Sequence, residues 1–116
     1  MIAAGRFERR RRLNEGAQFE RVFASNTARS SNRNFTILGL PTELDHPRLG
    51  LVVGKRVDRR AVGRNRVKRA IRESFRQQHL APYDLVVIAK QPAAKLKGAE
   101  LLADLKRLWA RFERAE

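Results

Sequence analysis

Apolar and polar residues change their spacing several times along this chain, and each change marks an element. Phe19, Val22 and Phe23 fall at i, i+3 and i+4. That places them on one face of a short helix over residues 14–25, with Asn14 as a suitable N-cap. Residues 25–34 are polar without a helical period and read as a loop or irregular strand. Residues 35–40 read as a strand. The stretch 41–47 carries two prolines, Asp45 and His46, which suits a turn. Residues 48–53 form a second strand, close enough in sequence to pair antiparallel with the first. An amphipathic helix covers 61–78, and Pro82 marks a break. Residues 84–89 form a third strand, apolar on both faces and therefore central. A last helix covers 100–112, where Leu101, Leu105, Leu108 and Phe112 make one stripe, widened by Leu102 and Trp109. The order α-β-β-α-β-α predicts an α+β fold, an α-β sandwich on a small sheet.

Length and charge sharpen this picture. At 116 residues the prior is one domain. There are 26 Lys and Arg against 12 Asp and Glu, a net charge of +14. No cysteine is present, so disulfides, thiolate zinc sites and thiol catalysis are excluded. The longest apolar run, 85–89, is far short of the ~20 residues a bilayer needs, so no membrane partner is expected. Residues 1–6 have no apolar stretch ahead of the first charges and do not read as a secretory signal. The expectation is a cytoplasmic protein whose partner is a polyanion.

The charge is concentrated. Between Arg48 and Arg76 stand eleven Lys and Arg against only Asp58 and Glu73. From Gln77 onward seven bases face five acids, so the last third reads as scaffold. A second cluster, Arg9 to Arg12, belongs to a stretch 1–12 read as a basic, flexible N-terminal tail that could trail across phosphates. Residues 13–116 then form a single RNA-binding domain.

The helix over 61–78 carries the chemistry. With Arg64 at 0° and ~100° per residue, Val67, Ala70, Ile71, Ser74 and Phe75 fall between about 240° and about 20°. Lys68, Arg72, Asn65, Arg76 and Arg69 fall between about 40° and about 140°, while Arg66 lies apart at about 200°. One face docks on a sheet and the next presents four cations around an amide. Each Lys or Arg can neutralise a phosphate and release counterions. Arg binds phosphate with two parallel donors and stacks on bases, and Asn65 can read a base edge or a 2′-hydroxyl. Lys55, Arg56, Arg59 and Arg60 make the loop entering the helix cationic as well. A solvated face would mix both signs.

Protein-side catalysis finds little support. His46 and His79 stand far apart and in no ligand spacing. The acids are too scattered for the carboxylate cluster of a two-metal nuclease. Glu73 has Arg69 and Arg76 in pairing positions on its own helix. No catalytic and no metal-binding residue is nominated.

The run Arg64-Asn65-Arg66-Val67-Lys68-Arg69, continued by Ile71-Arg72-Glu73-Ser74-Phe75-Arg76, resembles the signature of the protein subunit of bacterial ribonuclease P. Phe19-Glu20-Arg21-Val22-Phe23 is similar to that family's first helix. Arg48-Leu49-Gly50-Leu51-Val52-Val53 and Asp84-Leu85-Val86-Val87-Ile88-Ala89-Lys90 are similar to two of its strands. The resemblance spans about residues 12 to 112. Two positions depart: Gly54 stands where many members have Ser or Ala, and the first strand has Leu38 where some carry an aromatic.

The resemblance implies an α-β sandwich with the signature helix in a left-handed β-α-β crossover. It implies a noncatalytic subunit that binds a catalytic ribonuclease P RNA and the 5′ leader of precursor tRNA. Hydrolysis would be performed by the RNA with magnesium, with no cofactor on the protein and no required protein partner. It implies an RNA-facing surface of Arg64, Asn65, Arg66, Lys68, Arg69 and Arg72, to which the charge pattern adds Lys55, Arg56, Arg59, Arg60 and Arg76. Phe19, Phe23 and Phe35 become candidates for the leader cleft, with plain core packing as the other reading. The alternative function is a ribosomal or general RNA-binding protein without a cleavage role.

Overall fold

The computed structural model describes residues 9–13 and 15–115. Its elements are α1 (Gly16–Ser25), β1 (Ala28–Ser31), β2 (Phe35–Pro41), β3 (Arg48–Val52), α2 (Ala61–Arg76), β4 (Tyr83–Ala89) and α3 (Gly98–Trp109). Short 3-10 turns occupy Arg9–Arg11, Gln91–Lys95 and Ala110–Phe112. The fold is α+β, as the periodicity predicts, and its one sheet is mixed with four strands rather than the three expected.

The strand order is β1-β2-β4-β3. β2 pairs antiparallel with β1 and β4, and β3 runs parallel to β4. The expected antiparallel pairing of residues 35–40 with 48–53 does not form, because β4 lies between them. β4 buries Leu85, Val86 and Val87 completely, so it excludes water only with a strand on each side and a helix on each face. β3, with Gly50 and the exposed Val52, takes the sheet edge instead. The polar stretch 25–34 supplies an edge strand, β1, whose burial alternates residue by residue. α2 connects the parallel pair β3 and β4, so the basic helix does lie in a β-α-β crossover.

The two faces of the sheet bury different cores. On one, Phe35 and Ile37 of β2, Leu49 of β3, and Leu85 and Val87 of β4 meet α2 and α3. Those helices contribute Val67, Ile71, Phe75, Leu101, Leu105 and Trp109. Ser74, the polar residue on the apolar face of α2, accepts the Trp109 Nε1–H at 2.7 Å, which leaves neither group unpaired. On the other face, Val22 of α1 packs on Leu38, Val86 and Leu13. Arg48 and Asp84, opposite each other in the β3–β4 register, form a two-pronged ion pair at 2.8 and 2.7 Å. Its hydrogen bonds hold the Arg48 guanidinium above the ordinary arginine range.

Several boundaries differ from expectation, among them the end of α2, which falls at Arg76 rather than at residue 78. The N-cap of α1 is Glu15, whose N–H donates to Gln18 Oε1 at 3.1 Å; Asn14 lies outside the described residues. The last helix begins earlier, at Gly98, and tightens into a 3-10 turn before Phe112. The expected tail 1–12 is not uniformly detached. Its residues 1–8 lie outside the described residues, but Arg9–Arg11 make a 3-10 turn and Arg12 pairs parallel with Leu49. The Leu13 N–H donates to the Leu49 carbonyl at 2.9 Å and its side chain is buried. This arm covers the outer edge of β3. Among the described residues no helix is long and apolar enough to cross a membrane.

Candidate nucleic-acid interface

The loop from β3 into α2 is fixed from below by Val53 and Val57, both buried. Val57 N–H closes a turn on the Gly54 carbonyl at 3.0 Å. This leaves Lys55, Arg56, Arg59 and Arg60 exposed on the outside. Asp58 organises the helix start. Its Oδ1 accepts the Arg60 N–H at 2.9 Å, and that bond, with the Arg60 and Arg64 charges, holds its carboxyl below the usual range. The carboxyl lies directly against Gly63, where any Cβ would collide with it. Glycine at 63 lets the carboxyl keep this position; a larger residue would make the Asp58 side chain turn away.

The arginines of the signature divide into two kinds. Arg64 donates from Nη1 to the carbonyls of Asp58 (3.1 Å) and Arg59 (2.9 Å), so it braces the loop. Arg66, already apart by helical angle, donates from Nη1 to the Leu96 carbonyl at 2.8 Å and from Nη2 to the Ala94 carbonyl at 2.7 Å. Its guanidinium caps the 3-10 turn ahead of α3. Asn65 and Arg69 are exposed on the open side of α2, beside Val62, an apolar side chain 71% exposed. Lys68, Arg72 and Arg76 are half-buried along the next stripe. Arg76 lies 3.5 Å from Glu73, and its Nε is buried without a hydrogen-bond partner.

Lys68 and Arg72 face a groove of about 220 Å³ between α2 and the edge of the sheet. Arg12 comes into the same groove from the N-terminal arm, and Phe19 and Gly50 form its floor. A Cβ at residue 50 would sit 2.6 Å from the Phe19 ring, so the glycine lets the ring approach β3 closely. Among the described residues no acidic side chain lines this groove. Burial, then the charges of Arg12 and Arg76, hold the Arg72 guanidinium below its usual range. Next to it the Arg11 guanidinium stacks 4.9 Å over the Phe75 ring. An anion in this groove would relieve the crowding of like charges.

The three candidate phenylalanines separate. Phe19 is half-buried and lines the groove. Phe23, one turn on, is 45% exposed. Phe35 is no cleft residue: it is fully buried in the core under α2 and α3, on the face of the sheet opposite α1. The sequence also leaves two contributors unplaced. The basic run 9–12 announces its charge but not its docking beside α2. Gln91, next to Lys55, Arg56 and Arg59 in a shallow basin, has no local signal at all.

Fold and surface together define a class: a small, strongly basic α+β domain whose cations gather on one helix face and around an aromatic-floored groove. A family model for Ribonuclease P matches residues 7–113. The chain is 45% identical over 111 residues to a ribonuclease P protein component of Azotobacter vinelandii, covering 94% of this chain and 85% of that one. A relative of the same name from Pseudomonas aeruginosa is 46% identical over 110 residues, covering 93% and 82%. Among solved structures, a Staphylococcus aureus RNase P protein superposes with a TM-score of 0.79 at 35% identity, covering 84% of this chain and 91% of that one. A Thermotoga maritima RNase P protein gives 0.78 at 27% identity, covering 89% and 98%. The chain belongs to the ribonuclease P protein family, a protein component of tRNA processing.

Proposed function

We propose that this chain binds a catalytic ribonuclease P RNA and the single-stranded 5′ leader of precursor tRNA, and that the RNA performs the hydrolysis. The observation that carries the reading is the groove that brings Arg12, Lys68 and Arg72 together with the Phe19 ring and, among the described residues, no acid. A single strand suits it: phosphates meet the cations while a base stacks on the aromatic floor. The wider surface of Lys55, Arg56, Arg59, Arg60, Asn65 and Arg69 suits the backbone of a folded RNA, where Asn65 can reach a 2′-hydroxyl. Arg64 and Arg66 serve this surface by holding its frame.

The contribution to catalysis is electrostatic and positional. Two polyanions must meet, and each cation at their junction lowers the repulsion and releases counterions. A leader held in the groove presents the scissile phosphate in one register. The reaction's magnesium belongs to the RNA in this reading. Among the described residues no three His, Asp or Glu side chains come together.

The test is cleavage of a leader-bearing precursor tRNA at low magnesium by the protein alone, by a bacterial ribonuclease P RNA alone, and by the two combined. Efficient cleavage at the mature 5′ end only in the combination supports the proposal. Tight RNA binding without any effect on cleavage replaces it with a general RNA-binding role.

A further inference from the structure

Another cavity opens on the far flank of α2 from the groove. It holds about 380 Å³ and lies between the first turns of the helix and the 3-10 turn Gln91–Lys95. Val62, Asn65, Arg66 and Arg69 stand at i, i+3, i+4 and i+7, so one stripe of α2 forms its wall. Ala94 lines it from the 3-10 turn. Ligand sites run from ~300 to ~1,000 Å³, and a volume at the small end suits one planar group rather than a strand.

The wall offers more than phosphate requires. Val62 presents an exposed apolar surface. Arg66 spends one Nη1 hydrogen on the Leu96 carbonyl and one Nη2 hydrogen on the Ala94 carbonyl, which fixes the plane of its guanidinium. A fixed plane is a stacking platform, and a base laid on it leaves both hydrogen bonds in place. Asn65 is exposed, and among the described residues no hydrogen bond engages its amide. That amide holds an acceptor and a donor side by side. Arg69 adds an exposed cation. The acid in the wall, Asp58, is already engaged: its Oδ1 accepts the Arg60 N–H at 2.9 Å and lies 3.5 Å from Arg60 Nε.

We propose that this cavity takes one unstacked adenine of the catalytic RNA. The ring stacks on the Arg66 guanidinium and covers Val62, its edge pairs with the Asn65 amide, and its phosphate meets Arg69. Adenine carries a donor and an acceptor along one edge, N6 and N7, and an amide pairs with both; guanine carries two acceptors there and leaves the amide oxygen opposed. Arg66 thus has two uses: its N–H groups hold the frame and its face holds a base. The site is separate from the groove. Val62, Arg69 and Arg66 lie at about 140–200° around the helix, whereas Lys68 and Arg72 lie at about 40–80°. A leader strand in the groove and a base in the cavity can therefore be held together. The inference rests on the reading under Proposed function that the partner is an RNA, and adds which base it offers and where that base is read.

The experiment is analogue interference with the full chain and a bacterial ribonuclease P RNA. The RNA carries an occasional 7-deazaadenosine, which lacks N7, in place of adenosine. Bound and unbound RNA are separated and the analogue positions are read for wild type, Asn65→Ala and Val62→Ala. Both substituted side chains are exposed, so the melting temperatures of the variants should match the wild type. At one adenosine the analogue should weaken wild-type binding about fivefold, the worth of one hydrogen bond. Asn65→Ala should bind the unmodified RNA about tenfold more weakly and be indifferent to the analogue at that adenosine. Val62→Ala should bind more weakly but still sense it. If no adenosine loses its interference in Asn65→Ala, the cavity does not read adenine and the proposal falls. Interference that Asn65→Ala relieves with 7-deazaguanosine instead overturns it as well. A wild-type protein that does not bind the RNA at all overturns the reading under Proposed function, and this inference with it.

Discussion

The two faces of the sheet bury aromatic residues to opposite ends. Under α2 and α3 the rings are closed in: Phe75 meets Trp109 edge-on at 5.8 Å, and Phe35 and Phe112 are fully buried beside them. Under α1 the core is small, and the ring of Phe19 lies half-open on Gly50. The same side chain is cement on one face and floor on the other. What separates the two is how much helix covers the sheet, since α1 has 10 residues and α2 with α3 has 16 and 12. Incomplete coverage is the structural origin of the groove.

This contrast can be broken by substitution, and the largest effect belongs to the closed face. Trp109→Ala removes a fully buried indole and the donor to Ser74, and should cost about 3–5 kcal/mol in chemical denaturation, with no change specific to RNA binding. Asp84→Asn leaves Arg48 without its counter-charge at a largely buried site. It should lower stability by about 2–4 kcal/mol in the same measurement. Phe19→Ala should reverse the pattern of Trp109→Ala: a modest loss of stability, with roughly a tenfold loss of leader binding from one missing stack. If its melting temperature falls as far as that of Trp109→Ala, the two faces are not different in kind.

Replacing Lys68 and Arg72 with Ala should leave stability within about 0.5 kcal/mol and reduce the slope of log affinity against log salt by about 1–2 units. An unchanged slope removes both from the anion-facing surface. The smallest effect is that of Asp58→Asn. The Asp58 carboxyl is held below its ordinary range in the fold, so its ionised form adds stability above that range and loses it as pH falls through the folded value. The melting-temperature difference between wild type and variant should therefore be largest near neutral pH and vanish in strong acid.

Periodicity made α2 legible: Val67, Ile71, Ser74 and Phe75 of the apolar arc are buried, Ala70 is half-buried, and only the buried Gly63 was not named in it. The run 85–89 likewise announced a central strand. Neighbourhood in the sheet was not legible, because β2 and β3 are close in sequence and only the burial demands of β4 separate them. Phe35 and Phe19 could not be told apart by composition. β2 is apolar on both faces, so alternation did not say which face met which helix. The helical angle set Arg66 apart from the patch, yet its partners, the Ala94 and Leu96 carbonyls, lie in a segment with no local mark. For the arm, the missing signal was the burial of Leu13, one apolar residue that draws the preceding arginines onto the domain.

The position of β4 has a consequence for how the chain is made. β2 can pair with β1 as soon as both are made, but the second edge of β2 and all of β3 wait for a strand that ends only at Ala89. Until then the chain emerging from a ribosome holds the β1–β2 pair, an unpartnered β3 and most of its positive charge, but not the central strand that joins them. Assembly of the domain is therefore a late and largely concerted event, governed by long loop closures rather than by stepwise growth from the N-terminus.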